Sequence, residues 1–407
     1  MTHPSPFGVS VSNEAAKLLA SGKDANQIAN ILLQRDPEGR NYGIGIVLDG
    51  RGNPAKTSAT LLKASARELR KSGAGNYMNS AKRYAELKES ALAWQRIPKK
   101  YLDRFELAVP SDAGTGAIQT AVQAALILDS DVERLAFEEM SWPAYKTIAK
   151  VLGLRAEEFA LGAASAKART LSVYQAGPHN SSGRTPRLDE TRARAACAAK
   201  SGGWTLLDRA YSGFEYASSL KTDSYDAVMR RSYENQIRPF IDAGAPFFLA
   251  ISPTKSFATF ALRPCGLLLA YCPEENTRKS VAGAFTAALR ARGSAFEHPV
   301  TRAFIGAMIE EREGLERAHE SGLRRLAQAE RAWRKHARKT PLADAFSEDY
   351  AGLFRNLRVK DGADAALYGE HLYPVFTPGR CRLNVTGLPA DPERAAKDAA
   401  LFAEACL

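Results

Sequence analysis

Long apolar runs, cysteine pairs, metal-ligand spacings and blocks of like charge are all missing from this 407-residue chain. No stretch approaches ~18 consecutive apolar residues, which argues against a transmembrane helix. The opening Met1-Thr2-His3-Pro4-Ser5-Pro6 has neither the basic nor the apolar region of a secretory signal, so a cytoplasmic location is expected. Five cysteines (Cys197, Cys265, Cys272, Cys381, Cys406) make no CxxC pair and no even-numbered framework, against a disulfide scaffold or zinc ribbon. The six histidines are scattered without HExxH or other ligand spacing, and no metal is expected. Lys and Arg total 56 against 45 Asp and Glu, a net charge of +11, yet the basic residues are spread along the chain. The densest basic stretch, 331–339, follows Glu310, Glu311, Glu313, Glu316 and Glu320 on one amphipathic pattern. Acidic residues early and basic residues late suit a helix dipole. Neither a nucleic-acid nor a membrane partner is expected.

What is present is a globular composition, 45% hydrophobic and 25% charged, long enough for two or three units of ~100–200 residues. Apolar periodicity predicts helices over 14–35, 57–72, 81–95 and 117–128, and 41–48 reads as a strand. Strands at 134–137, 170–175, 204–208, 246–251 and 266–272 then alternate with helices at 143–152, 187–200, 223–240 and 277–291. That alternation predicts an α/β fold with a mostly parallel sheet covered by helices. Residues 300–339 read as long amphipathic helix, and the tail mixes short strands (372–376, 381–385) with a final helix, 391–405. The composition shift near 315 predicts a large domain, 47–315, and a smaller α+β domain built from both chain ends, 1–46 and 316–407.

The most informative segment runs Ile251-Ser252-Pro253-Thr254-Lys255-Ser256 and on to Arg263. A lysine just past a buried strand, flanked by serines and followed eight residues later by an arginine, pairs a carbonyl-reactive amine with a phosphate-binding fork. Those two functions together are what pyridoxal phosphate requires. Asp208-Arg209-Ala210-Tyr211 sits at a strand end, where the ligand loops of α/β sheets gather. Asp208 suits a protonated pyridine nitrogen, and Tyr211 suits the ring's phenolic oxygen. Asn180 follows another strand end and suits the same oxygen. Gly114-Thr115-Gly116 opens a helix and offers backbone N–H groups and a hydroxyl to an anion. Trp142, at a third strand end, suits stacking on a pyridine ring. Taken singly, each has an ordinary explanation as a turn, a cap or a core aromatic.

Taken in order, they form a pattern. Asn41-Tyr-Gly-Ile-Gly45, Asn76-Tyr77, Gly114-Thr115-Gly116, Ser141-Trp142-Pro143, His179-Asn180-x-x-Gly183, Asp208-x-x-Tyr211, Ser252-x-x-Lys255 with Arg263, and Arg382-Leu-Asn384 resemble the class I aminotransferases, most closely their aspartate/aromatic subgroup. The similarity runs from about residue 37 to the end. It implies a fold-type I enzyme with a mostly parallel seven-stranded sheet, working as a homodimer with shared active sites. It implies Lys255 as the lysine that binds pyridoxal 5'-phosphate and then moves the proton, Asp208 on the pyridine nitrogen, and Asn180 with Tyr211 on the phenolic oxygen. Gly114, Thr115, Ser252 and Arg263 would hold the phosphate, with Tyr77 reaching in from the partner subunit, and Trp142 would stack on the ring. Arg382 would clamp the substrate α-carboxylate bidentately. Gly45, Trp142 and Asn180 would also border the substrate, and Arg292 would read a distal carboxylate across the interface.

Some positions depart from the family pattern. Ala113 replaces a serine, Ser181 replaces a proline, and Tyr145 and Gln175 stand where histidines are expected. The stretch 290–299 lacks the usual Tyr-Ser-Asn, so Arg290 competes with Arg292 for the distal-carboxylate role, and either can be a solvated helix-end residue. An insertion at 232–246 has no assigned purpose. The expected activity is transfer of an amino group from an aspartate-type or aromatic L-amino acid to a 2-oxo acid such as 2-oxoglutarate, in a ping-pong cycle. The same fold also supports lyases, decarboxylases and racemases, and a non-catalytic regulatory protein that binds the cofactor is a further alternative.

Overall fold

The computed structural model describes residues 11–71, 80–257, 262–293 and 297–407. Its centre is a seven-stranded sheet: β1 (Phe105–Ala108), β2 (Arg134–Glu138), β3 (Arg155–Phe159), β4 (Thr170–Gln175), β5 (Thr205–Arg209), β6 (Phe247–Ile251) and β7 (Leu267–Tyr271). The spatial order is β1-β7-β6-β5-β4-β2-β3. All neighbours are parallel except β7, which runs antiparallel to both β6 and β1. Alternate side chains of the central strands enter two different cores. Leu206, Phe248, Ala250, Leu268 and Ala270 pack under α1 (Ala113–Leu128) and α2 (Glu275–Gly293). Leu207, Leu249, Ile251 and Leu269 pack with Trp94, Met308 and Trp333 on the other face. The continuous apolar runs of β6 and β7 are what a strand buried on both faces requires. The expected α/β sandwich is present.

The sequence pattern overstates continuity in four places. Residues 14–35 form two helices, Val11–Ala20 and Ala25–Gln34, because Gly22 adopts φ +82° and Asp24 caps the second with a reciprocal Gln27 bond. The expected strand at 41–48 forms a ladder only over Arg40–Asn41, in parallel with Leu372–Tyr373, with a single antiparallel bridge from Leu48 to Pro54. There Asn41 Oδ1 accepts from the N–H groups of Gly43 and Ile44 (3.1 and 3.0 Å), turning the chain. The helix at 300–339 is broken at Glu311 (φ −131°) into α3 (Pro299–Glu310) and α4 (Arg312–Ala337). The break lets α3 pack on Ala59–Lys71 while α4 reaches the C-terminal elements. Pro374 splits 372–376, and the second piece, Val375–Thr377, joins Arg380–Asn384 and Phe354–Arg358 in an antiparallel sheet. β1 and β3 have no counterpart among the expected strands; β3, Arg-Ala-Glu-Glu-Phe, is an edge with little apolar alternation. Among the described residues no helix is long and apolar enough to cross a membrane.

Candidate active site

Six strands point their C-terminal ends at one rim of the sheet, and the antiparallel β7 begins there. Ile251 at the end of β6 is therefore opposite Leu267 at the start of β7, and Gly266 N–H donates to Pro110 O just past β1 (2.9 Å). This single reversal brings the loop carrying Arg263 to the strand ends that carry Asp208 and Lys255. A cavity of about 250 Å³ opens at the rim. Its lining brings together Gly114, Thr115 and Trp142, then Asn180, Asp208 and Tyr211, and Ser252, Lys255 and Arg263, with Ile118 and Gln175 among its other walls. Thr254 also lines it, its buried hydroxyl without a hydrogen-bond partner. The only available signal for Thr254 was its place between Ser252 and Lys255.

Each wall has a local cause. Gly114 lies in the first turn of α1, and a Cβ there would come within 2.5 Å of Ser252 Cβ and 2.7 Å of its hydroxyl. Glycine is what lets the helix start meet the Ser252 turn. Lys255 sits on a four-residue helix, Pro253–Ser256, straight after β6. Enclosure by protein, with the Arg382 and Arg263 charges nearby, lowers its amine to about 8 against the opposing pull of Asp208. Gly45 is beside this amine: a Cβ there would be 3.5 Å from Lys255 Nζ. Asn180 Nδ2 donates to Tyr211 Oη at 3.0 Å, which leaves the phenol hydrogen for another acceptor.

Asp208, next to last in β5, is in register with Gln175 of β4. It is buried, and burial raises its carboxyl pKa, while hydrogen bonds from Tyr145 and from Ala210 N–H pull it back. Tyr145 Oη donates to Asp208 Oδ2 at 2.5 Å, and its ring meets Trp142 edge-on with centroids 5.6 Å apart. Gln175 accepts from Asn180 N–H (2.6 Å) and donates to Ser141 Oγ (3.2 Å). The two residues that replace histidines thus brace Asp208 and Asn180 with neutral groups. Behind them, Arg209 and Glu215 form a fully buried ion pair, and Ser232 hydrogen-bonds to both. The insertion at 232–246 therefore begins with a residue that buttresses the strand end carrying Asp208. Tyr145→Phe removes a donor to the charged form of Asp208, so its ionisation should move to higher pH. A carboxyl-stretch infrared titration against Asp208→Asn reads that shift, and an unchanged midpoint would refute it.

Arg382 stands on the Arg380–Asn384 strand, its guanidinium 4.4 Å above the Phe354 ring centroid. Its Nη2 donates to Asn26 Oδ1 (2.7 Å) and Gly43 O (3.0 Å), while its buried Nε has no hydrogen-bond partner. Asn384 Nδ2 holds the same loop through Ile44 O and Ile46 O (2.6 and 2.7 Å). These side-chain bonds satisfy carbonyls of 41–48 that a strand partner would otherwise take. Arg292 is not among the cavity-lining residues: it ends α2 and turns back onto the first turns of α1. Arg290 stands on the same last turn of α2. Tyr77 lies outside the described residues.

Residues 40–339 match the family model described as aminotransferase class I and II. An aromatic-amino-acid aminotransferase of Paracoccus denitrificans is 25% identical over 186 residues, 42% of this chain and 44% of that protein. The match thus spans less than half the length of that curated relative. Among solved structures, an aromatic amino acid aminotransferase from Burkholderia cenocepacia superposes with a TM-score of 0.75 at 18% identity, covering 93% of this chain and 96% of the other. One from Burkholderia pseudomallei, covalently bound to pyridoxal phosphate, gives 0.75 at 16% identity over 94% and 96%. The aspartate aminotransferase of the Saccharomyces cerevisiae cytoplasm gives 0.73 at 19% over 94% and 96%. At these identities the structural likeness establishes the fold.

Proposed function

This chain belongs to the class I and II aminotransferases, and from that premise we propose that it moves an amino group from an aromatic or aspartate-type L-amino acid to a 2-oxo acid, using pyridoxal 5'-phosphate. The observation that carries the reading is one cavity holding a depressed-pKa lysine, a buried carboxylate, a phenol–amide pair and an anion cradle together. The residues present fit the cofactor. Gly114 lets the start of α1 close against Ser252, bringing two anion-binding elements together, and Asn180 Oδ1, Thr254 Oγ1 and Arg382 Nε are buried polar atoms without partners.

When bound, pyridoxal phosphate supplies an electrophilic carbon and an electron-withdrawing ring. Thr115 and Ser252 offer hydroxyls, Arg263 a guanidinium, and the start of α1 its N–H groups and positive helix end to the phosphate. Asp208, held out of water, would pair with the ring nitrogen and keep a proton on it. Tyr211 would donate its free hydrogen to the phenolic oxygen, and Trp142 would cover the ring. Lys255 would be the amine that bonds the cofactor and, as a neutral amine, would move the proton at the substrate Cα.

Arg382 binds the α-carboxylate of every donor. Its Nε and an Nη form the two-pronged face that lysine cannot reproduce. Arg382→Lys should therefore lower kcat/KM for all donors alike, by roughly 1.5–3 kcal/mol for a charged hydrogen bond. A loss confined to one substrate class would remove Arg382 from this role.

The active unit we propose is a cytoplasmic homodimer with Tyr77 contributed across the interface. The family resemblance supports the dimer, and five unpaired cysteines, four of them buried, suit a reducing compartment. The deciding experiment is a spectral screen: each L-amino acid is added to the holoenzyme and the cofactor's absorbance is followed as its amino form accumulates. Discharge by aromatic or acidic amino acids, reversed by 2-oxo acids, is expected. Release of a keto acid, ammonia or carbon dioxide without amino transfer would instead mean elimination or decarboxylation.

A further inference from the structure

We propose that Arg292 is a positioning residue for the phosphate-binding turn of its own subunit, and not a reader of acidic substrate side chains. The inference rests on the pyridoxal-phosphate reading above. Helix α1 begins awkwardly. Ala113, its first residue, has φ +58°, a left-handed geometry that strains a non-glycine residue. Asp112 is the N-cap residue, yet its carboxylate makes no capping bond to the helix N–H groups. Locally the turn is closed by one backbone bond, from Gly116 N–H to Asp112 O (3.1 Å), with no side-chain cap.

Arg292 supplies the missing restraint from the far end of α2. Its Nη2 pairs with Asp112 Oδ1, taking the carboxylate that the helix does not use. Its Nη1 donates to Gly116 O at 3.0 Å and to Thr120 Oγ1 at 2.5 Å, and Thr120 is fully buried. One guanidinium therefore fastens the residue before α1, its first turn and its second. Gly116 is explained by the same lock: a Cβ there would overlap the Asp112 carboxylate and come within 2.8 Å of Arg292 Nη2. The residues so clamped, 112 and 116, bracket Gly114 and Thr115, which line the cavity. Swinging Arg292 out toward a substrate would abandon three bonds and release a strained turn. Thr115 and the N–H groups around it would then lose their aim at the phosphate.

The test uses holoenzyme of the wild type, Arg292→Gln, Thr120→Val, Asp112→Asn and the Asp112→Asn/Arg292→Gln double variant. Cofactor loss after dilution, the phosphorus-31 resonance of the bound cofactor, and kcat/KM for aspartate and phenylalanine are measured on each. Arg292→Gln is expected to lose cofactor roughly tenfold faster, which corresponds to ~1.4 kcal/mol. It should shift the phosphorus resonance and lower both substrates by similar factors. Thr120→Val, which keeps shape and charge, should move the resonance the same way by less, and the Asp112→Asn and Arg292→Gln effects should be non-additive. A fold that is merely loosened would lower Tm and leave the resonance in place, which overturns the proposal. Unchanged cofactor retention with a selective loss of aspartate activity also overturns it and returns Arg292 to the substrate. A wild-type protein that takes up no pyridoxal phosphate, or whose cofactor no amino acid discharges, would instead sink the aminotransferase reading itself.

Discussion

Lys255→Ala should lower turnover by roughly 10⁴-fold, the upper range for a positioned acid–base group, while the protein still holds cofactor non-covalently. The two halves of that expectation have different sources. Turnover needs an amine that can bond the cofactor's aldehyde carbon and then shuttle a proton, and among the described residues no other lysine lines the cavity. Retention needs only the cradle of Gly114, Thr115, Ser252 and Arg263 and the carboxylate of Asp208, none of which the substitution touches. The pH dependence follows from the lowered amine. An ordinary lysine at 10.5 is almost wholly protonated at pH 8, whereas Lys255, at about 8, is half neutral there. Capture of pyridoxal phosphate by the apoprotein should therefore accelerate as pH rises through about 8 and level off above it. Borohydride reduction of the holoenzyme and peptide mapping locate the bond. A pyridoxyl group on any other lysine would refute the assignment.

Asp208→Asn should separate chemistry from binding in the opposite sense, with retention nearly normal and the proton-transfer step crippled. A buried carboxylate beside the ring raises the nitrogen's pKa by ~1–3 units, and the isosteric amide does not. Each unit is 1.36 kcal/mol, so the half-reaction with amino acid should slow on the order of 10²-fold. Stopped-flow absorbance in a single half-reaction isolates that step. Near-normal rates would show that the charge pairing is not what drives the reaction. Tyr145 gives an internal comparison. It donates one hydrogen bond to Asp208 without adding charge, so Tyr145→Phe should cost far less than Asp208→Asn.

How much of this was legible in the residues depended on whether an apolar pattern or a side-chain contact made the structure. β6 and β7 announce themselves through continuous buried runs, and Lys255 follows from its place just after one of them. Residues 41–48 did not. They look like a strand but are held by Asn41, Asn384 and Arg382 side chains, partners that lie over 300 residues away in two of the three cases. β3 escaped notice because an edge strand of Arg, Ala and Glu carries no alternation to detect. Arg263 could be paired with Lys255 by spacing, but the reason the two meet is the reversed direction of β7, a property of sheet topology. The bracing roles of Tyr145 and Gln175 were visible only as departures from a family pattern. The Tyr145–Asp208 contact joins a helix to a strand end 63 residues away, and the Gln175–Asn180 contact depends on a turn that no apolar pattern marks.

The place of β7 between β1 and β6 also dictates when the chain can complete its binding pocket during synthesis. β1 ends at Ala108, but its sole partner in the sheet is β7, which ends at Tyr271. At ordinary translation speeds of ~5–20 residues per second, β1 waits on the order of 10–30 s for that strand to be made. Through that interval its backbone N–H and C=O groups are an open edge of the kind that invites pairing with other chains. The helix that begins the phosphate cradle hangs from the same unpaired strand, so the vitamin-derived cofactor meets no finished cradle on a half-made chain. A nascent chain stalled between β6 and β7 would carry the lysine and the carboxylate yet lack the anchor that tethers the ligand. Exposure to proteolysis and aggregation is therefore concentrated before the residues of β7 emerge from the ribosome.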